Sequence, residues 1–295
     1  MKLSALAVAC LALAACSGAP DATSSPAPVA SASDGGSVAA TGPACLPNCA
    51  QENLAGAVIE KVSLDNASFK GADLTGARFA DLKGRNVDFT GANLSGATFD
   101  YVDFAGTDCT PQGYAWICSG AAKMNSTLMT GTKFNLADLT GVHFQLVDID
   151  QASFINSTLD KTFWHIRGKY GTERAEGVNF DGSRLRYMSG EPINFGEFSM
   201  KGTDFSYSDM YKVTFIDGQA QGAIFDSAKL DDVFMTSVDL TGASFVKTEG
   251  YVTLDRSNMT RANLTGMRAT FDDYGGTTWK DVTCPDGSVQ SSPCR

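Results

Sequence analysis

Histidine is almost absent from this chain, with only His143 and His165 among 295 residues. Imidazole is the commonest general base and metal ligand near neutral pH, so metal centres and Ser-His or Cys-His catalysis have little material here. The chain also lacks Gly-x-Ser-x-Gly, His-Glu-x-x-His and any phosphate-cradling glycine loop. Basic residues are outnumbered, 23 against 33 acidic, which excludes a uniformly basic nucleic-acid surface. The acidity serves solubility. No free reactive cysteine is expected, and no cofactor is implied.

The one apolar run stands at the start. Residues 1–15 carry a single Lys2, an apolar stretch and small residues, too short to span a bilayer as a mature helix. Leu13-Ala14-Ala15-Cys16 resembles the bacterial lipobox, in which the cysteine becomes the acylated first residue of a lipoprotein; the alternative is an ordinary secretory signal cleaved near Ala15. The resemblance implies that cleavage removes Cys10 and Lys2, leaving 22 basic against 33 acidic residues, a net charge of about −11. It implies a stable membrane anchor carried by several acyl chains, and Ser17, in place of Asp, favours the outer over the inner membrane. Residues 16–43 beyond the signal are almost entirely Ser, Ala, Gly, Pro and Thr with no large apolar residue to bury, and are expected to form a disordered tether reaching about 30 Å.

From there to about residue 270 the chain has a period of five. Ala-Asp-Leu-Thr-Gly occurs at 72–76 and 137–141, Ala-Asn-Leu-Ser-Gly at 92–96 and Val-Asp-Leu-Thr-Gly at 238–242. On an α-helix that period scatters apolar residues around the cylinder, and on a straight strand it alternates faces. It makes sense if the chain turns a corner at every unit, so that each central Leu or Phe returns to one axis. Core positions run from Leu54 to Phe104 with Gly84 the exception, from Met124 to Trp164, from Phe180 to Phe245 with positions 190 and 220 left out, and from Leu254 to Leu264 after a frame slip near residues 248–250.

This pattern resembles the pentapeptide-repeat family. The resemblance implies an all-β fold, a right-handed quadrilateral β-helix in which four units make one coil. Residues 20 apart would then stack, placing Phe69, Phe89 and Cys109 in one interior column, Leu74 and Leu94 in another, and Phe205, Phe225 and Phe245 in a third. About ten or eleven coils would give a rod about 50 Å long. Residues 44–53 and 270–295 are expected to cap a solenoid over 54–269, since an open end is an exposed sheet edge. Some family members are cytosolic acidic dimers that imitate DNA and bind gyrase. This chain departs from them in its export signal, its cysteines and the lack of an apolar helical segment after the last repeat, so a monomer is expected.

Six cysteines follow Cys16 and fall into three close pairs, Cys45 with Cys49, Cys109 with Cys118, and Cys284 with Cys294, the economical pairing in an exported chain. Zinc at Cys45 and Cys49 is the competing idea, but neither histidine lies near in sequence. Asp148, Asp150, Asp272 and Asp273 fall short of the six or more oxygens that Ca²⁺ takes. No metal is expected. Function is left to outward positions and to two interruptions. The first, residues 110–121, holds Tyr114 and Trp116, either on an exposed tip or packed back as two degenerate units that keep the frame. The second, residues 165–177, holds Arg167, Lys169, Tyr170 and Arg174, a basic loop suited to an anionic partner. These six are the binding candidates; no catalytic residue is identified. The expected function is a non-catalytic, lipid-anchored scaffold of the bacterial cell envelope that binds a protein or glycan. The alternatives are an enzyme-inhibiting mimic of an acidic polymer, which needs a continuous negative face, and a cell-wall hydrolase, which needs a convergent acid–base pair.

Overall fold

The computed structural model describes residues 41–113, 115–167 and 173–294. These lie in one compact unit, Ala39–Arg295. The leader, Cys16 and the tether up to residue 40 lie outside the described residues. Among the described residues the chain forms strands, bridges and turns with no helix, wound into a solenoid.

One unit shows how the sequence makes a side. In Ala72-Asp73-Leu74-Thr75-Gly76, Ala72 and Leu74 are buried. Asp73 Oδ1 accepts the Thr75 backbone N–H at 3.1 Å and the Thr75 hydroxyl at 2.6 Å, tightening the bend beyond the core residue. Gly76 takes φ +64°, the left-handed conformation that turns the corner. Its N–H donates to the Ser95 carbonyl of the next coil at 2.9 Å. Asn93 does the same for Ser95 at 3.1 Å, which is why Asp and Asn alternate freely at this position.

Four such sides close a coil, and four ladders run along the solenoid. The first face pairs Asn48, Ser68, Asp88, Lys123, His143, Phe163, Ser189, Asp209, Lys229 and Glu249 in succession. The second runs from Asn53 through Asp73, Asn93, Leu128 and Asp148, and later from Arg174 through Asn194 and Thr214 to Phe234. The third runs from Val58 through Arg78, Thr98 and Lys133 to Thr278, and the fourth from Ser63 through Lys83, Asp103 and Asp138 to Thr283. Almost all partners are parallel and 20 residues apart. Between Asp88 and Lys123 the step is 35, between Ser153 and Asn179 it is 26, and between Asp239 and Asn258 it is 19. Two insertions and one deletion are therefore absorbed at corners while the ladders stay in register.

Inside, the core residues stack by column. Phe79, Phe99 and Phe134 lie 4.5 Å apart, and Phe205, Phe225 and Phe245 lie 5.2 and 4.9 Å apart. The expected column of Phe69, Phe89 and Cys109 is corrected at its third member. Phe69 and Phe89 stack at 5.2 Å, but Phe89 N–H bonds to Lys123 O, so Met124 follows Phe89 and Cys109 stands outside the solenoid. The inward small position also tolerates hydroxyls, because most of them donate to a core residue's carbonyl one coil back. Thr132 Oγ1 reaches Leu94 O at 2.7 Å and Thr203 Oγ1 reaches Phe180 O at 2.7 Å.

The exceptions to the core pattern have local causes. A Cβ at Gly84 would lie 2.5 Å from Val87 Cγ2 and 2.8 Å from Leu64 Cβ, so neighbours already fill that space. A Cβ at Gly190 would lie 2.5 Å from the carbonyl oxygen of Trp164, the bulky core residue one coil back. Trp164 is closely surrounded, 4.1 Å from Phe144 and 5.6 Å from Phe154 between ring centroids, with Nε1 donating to Thr162 Oγ1 at 2.9 Å. At the ends, Cys45–Cys49, with Cys49 buried, precedes the first full coil. The strands Val282–Thr283 and Val289–Gln290 with Cys284–Cys294 close the other, where Trp279 packs against Phe271.

The bends carry a pH dependence. The Thr75 hydroxyl and backbone N–H hold the Asp73 carboxyl below the usual carboxylate range, and Ser288 does the same for Asp286. A depressed carboxylate pKa contributes stability that is fully present above the unfolded pKa, near 4, and is lost as pH falls through the lower folded value. Asparagine keeps the acceptor without the charge. Asp73→Asn with Asp286→Asn is expected to leave the thermal midpoint at pH 7 within about 2 °C and to reduce the loss of stability between about pH 4 and pH 2. Circular dichroism melts across that range check this; an unchanged acid profile would remove the bends from the account.

Candidate functional site

The chain leaves the solenoid at the corner after the fourth face, at Gly106, and re-enters the first face at Ala122. Gly106 N–H bonds to Thr140 O and Asn86 N–H bonds to Gly120 O, so departure and return share one corner. Between them Thr107–Gln112 pairs antiparallel with Ala115–Ser119, with Pro111 opposite Trp116, and Cys109–Cys118 ties the two strands. The reading of residues 112–121 as two degenerate repeats is thereby corrected. Their backbone groups pair with each other as a hairpin, and Lys123 rather than Asp108 meets Asp88. Tyr114 lies outside the described residues.

The hairpin lies along the corner. A Cβ at Gly141, φ +72°, would stand 2.2 Å from Cys118 Sγ, so this glycine both turns its corner and seats the disulfide. Further along, Trp116 is half-buried, with its carbonyl accepting from His143 Nε2 at 2.6 Å. The Lys161 ammonium lies 4.7 Å above its ring, and Tyr187 meets it edge-on at 5.9 Å. Tyr187 stacks on Tyr207 at 5.1 Å, an interplanar angle of 12°. Lys161, Tyr187 and Tyr207 occupy successive coils of one corner, with φ of 60°, 58° and 62°. The neighbouring corner, across the fourth face, carries Gly182, Gly202, Gly222 and Gly242 at the same conformation. Tyr187 is 37% and Tyr207 55% exposed, so the row ends in an open aromatic surface. Beneath the hairpin, a cavity of about 320 Å³ is bordered by Asn86, Lys123, Asn125, His143 and Gln145.

The second interruption contributes less charge than its composition suggests. Lys169 and Tyr170 lie outside the described residues. Arg167 is exposed, its N–H bonded to Val147 O at 2.7 Å. Arg174 belongs to the strand Arg174–Glu176, where its guanidinium pairs with Glu176. A Cβ at Gly196 would collide with that pair, so the glycine in the next coil makes room for it. The two histidines, distant in sequence from the cysteines and in different units, stand on one face in neighbouring coils, where Gln145 pairs with His165. Among the described residues no group of three or more His, Cys, Asp or Glu is placed to hold a metal ion.

Carboxylates do not form a continuous outer stripe. On the fourth face Asp103 and Asp138 are followed by Thr158 and Arg184, and Arg85 grips Asp103 through two bonds of 2.7 and 3.0 Å. Asp160, 6% exposed, sits between Arg184 Nε and Arg186 Nη2, both at 2.8 Å. That cluster, and the Lys161–Tyr187–Tyr207 corner, were not singled out from sequence. The offset that finds the corner is available there: 26 residues from Lys161 to Tyr187 across the second insertion, then 20 to Tyr207.

Residues 48–108 match the family model described as pentapeptide repeats (9 copies). Among solved structures, full-length QnrB1, a plasmid-mediated fluoroquinolone resistance protein, is 16% identical, with 74% of this chain and 94% of that chain covered and a TM-score of 0.35. HetL, a pentapeptide repeat protein involved in heterocyst differentiation regulation in the cyanobacterium Nostoc sp. strain PCC 7120, is 18% identical over 81% of this chain and 92% of its own, with a TM-score of 0.22. Rfr23 from the cyanobacterium Cyanothece 51142 is 14% identical over 49% and 88%, with a TM-score of 0.28. No curated protein matches.

Proposed function

We propose that this chain is a non-catalytic, lipid-anchored binding protein of the bacterial cell envelope, whose solenoid presents one modified corner to a protein or glycan partner. The observation that carries the reading is the hairpin corner. Regular coils spend their inward positions on packing and turn each corner within one unit, whereas here a disulfide-tied hairpin is inserted at a corner and extends a row of aromatic rings, Trp116, Tyr187 and Tyr207, that ends exposed. Large aromatics on a rigid scaffold supply contact area at low entropic cost. The anchor and the envelope location rest on Leu13-Ala14-Ala15-Cys16 and on the tether composition.

Two arms test the reading. Cys16→Ser is expected to move the protein from the membrane to the soluble fraction or leave an uncleaved precursor, judged by fractionation and intact mass; unchanged partitioning and mass would refute the anchor. Tyr187→Ala with Tyr207→Ala is expected to cut recovery of crosslinked envelope partners by at least about tenfold with an unchanged β-type spectrum. Unaltered recovery would move the site elsewhere. A mimic of an acidic polymer fits less well, because basic and neutral residues interleave the carboxylates along the ladders.

A further inference from the structure

Beside the Tyr187–Tyr207 corner, the first face holds a cleft of about 280 Å³ lined by Ser189, Glu191, Asp209, Tyr211, Lys229 and Asp231. Its floor is the stretch where Gly190 replaces a core side chain above Trp164. Ser189 is 3% exposed and its hydroxyl has no hydrogen-bond partner. A buried hydroxyl left unpaired costs about 1–3 kcal/mol, so a ligand oxygen delivered there recovers a bond the fold has forgone.

The remaining groups narrow the ligand class. Lys229 Nζ lies 2.6 Å from Asp231 Oδ2, and that hydrogen bond, with the fields of Asp209 and Asp231, raises the lysine pKa and keeps it charged. The ammonium position is thus already filled from within. Carboxylates at Glu191, Asp209 and Asp231 repel an anion. No metal-holding group of three such side chains occurs among the described residues. What is left is a neutral ligand that both donates and accepts: hydroxyls donating to Asp209 and Asp231, and oxygens accepting from Lys229, Ser189 and the Tyr211 phenol. Tyr211, 47% exposed with Lys212 Nζ 5.0 Å from its ring centre, adds aromatic surface for apolar C–H groups. Adjacent hydroxyls around an apolar ring face are the chemistry of a pyranose. The volume lies just under the ~300–1,000 Å³ of pockets that enclose a small molecule, which suits one ring of a chain rather than a whole ligand.

We propose that this cleft is a saccharide-binding site that takes one pyranose ring of a neutral oligosaccharide, through Ser189, Asp209, Lys229 and Tyr211. The site requires neither the hairpin contact nor the lipid anchor, so its failure would leave the preceding reading standing. The test is saturation-transfer NMR and calorimetry on the full chain with three neutral tetramers as probes, of β-1,4-linked N-acetylglucosamine, β-1,4-linked glucose and α-1,4-linked glucose, and with spermidine as the cationic comparator. Saturable binding of at least one tetramer is expected, little changed by about 0.5 M NaCl, where charge–charge contacts at a surface are screened. Asp209→Asn and Ser189→Ala should each weaken it by about tenfold, whereas Tyr101→Ala, an exposed aromatic on another corner, should not. Ser189→Ala should also leave thermal stability unchanged or raised, separating a ligand role from a structural one. Absence of binding by all three tetramers, binding indifferent to both cleft substitutions, or binding of spermidine alone that salt abolishes would each overturn the proposal.

Discussion

Phe154→Ala is expected to destabilise the solenoid by about 3–5 kcal/mol, the range for removing a fully buried aromatic side chain. Phe154 is 0% exposed and lies between Phe134 at 5.2 Å and Phe180 at 5.0 Å in its own column. It also meets Phe144 and Trp164 from the first face at 6.0 and 5.6 Å. Alanine would leave a cavity facing rings on several sides, with little chance of collapse because each neighbour is fixed by the ladder of its own face. Coils contact only their neighbours, so the defect divides the solenoid into two stacks coupled through a weakened interface. Denaturant unfolding followed by intrinsic fluorescence should therefore show a lower midpoint and a broadened or two-step transition. A single transition within about 1 kcal/mol of the parent would mean that these rings do not form one continuous column.

The second large effect is expected at Gly141. Alanine at Gly131, φ +64° with nothing within 4 Å of the added Cβ, is the reference, costing only the left-handed backbone penalty of about 1–2 kcal/mol. Alanine at Gly141, φ +72°, carries the same penalty and in addition strikes Cys118 at Sγ and Cβ, 2.2 and 2.5 Å away. The hairpin must then lift from the corner, taking Trp116 away from His143, Lys161 and Tyr187. Gly141→Ala should give at least about tenfold faster amide exchange in the Ala115–Ser119 strand and a shifted Trp fluorescence maximum, while Gly131→Ala leaves both unchanged. Equal behaviour of the two variants would show that the hairpin does not rest on this glycine.

These two residues also mark how far the sequence could be read. Phe154 is legible because the period of five names it as a core residue, and the count of 20 per coil gives its neighbours above and below wherever no residues intervene. Gly141 reads as one more consensus glycine. Its second role depends on where an inserted hairpin lies down, which depends on contacts among Cys118, Trp116, His143 and Lys161 that no period encodes. The same limit explains Cys109. An insertion of fifteen residues is a multiple of five, so residues 107–121 preserve the frame numerically while leaving the solenoid physically. Lys161 and Tyr187 were hidden for the opposite reason, since the six-residue insertion before Arg174 shifts the count, and only the register Ser153 with Asn179 restores it. By the period of five, Ser189 falls directly before position 190, where an outward residue is expected. It is buried beside Gly190, which pairs with Trp164 one coil back, an arrangement visible once the columns are known.

The central proposal is a division of labour: the four ladders carry the fold, and the corner that the excursion at Gly106 builds with Tyr187 and Tyr207 carries partner recognition. Deleting residues 107–121 joins Gly106 to Ala122 and returns the step from Asp88 to Lys123 from 35 residues to 20, the spacing of the regular coils. The shortened protein should keep its β-type spectrum and a thermal midpoint within about 5 °C of the parent, and should lose the crosslinked envelope partners recovered with the intact chain. A deletion variant that fails to fold, or one that folds and still recovers those partners in full, would contradict the account.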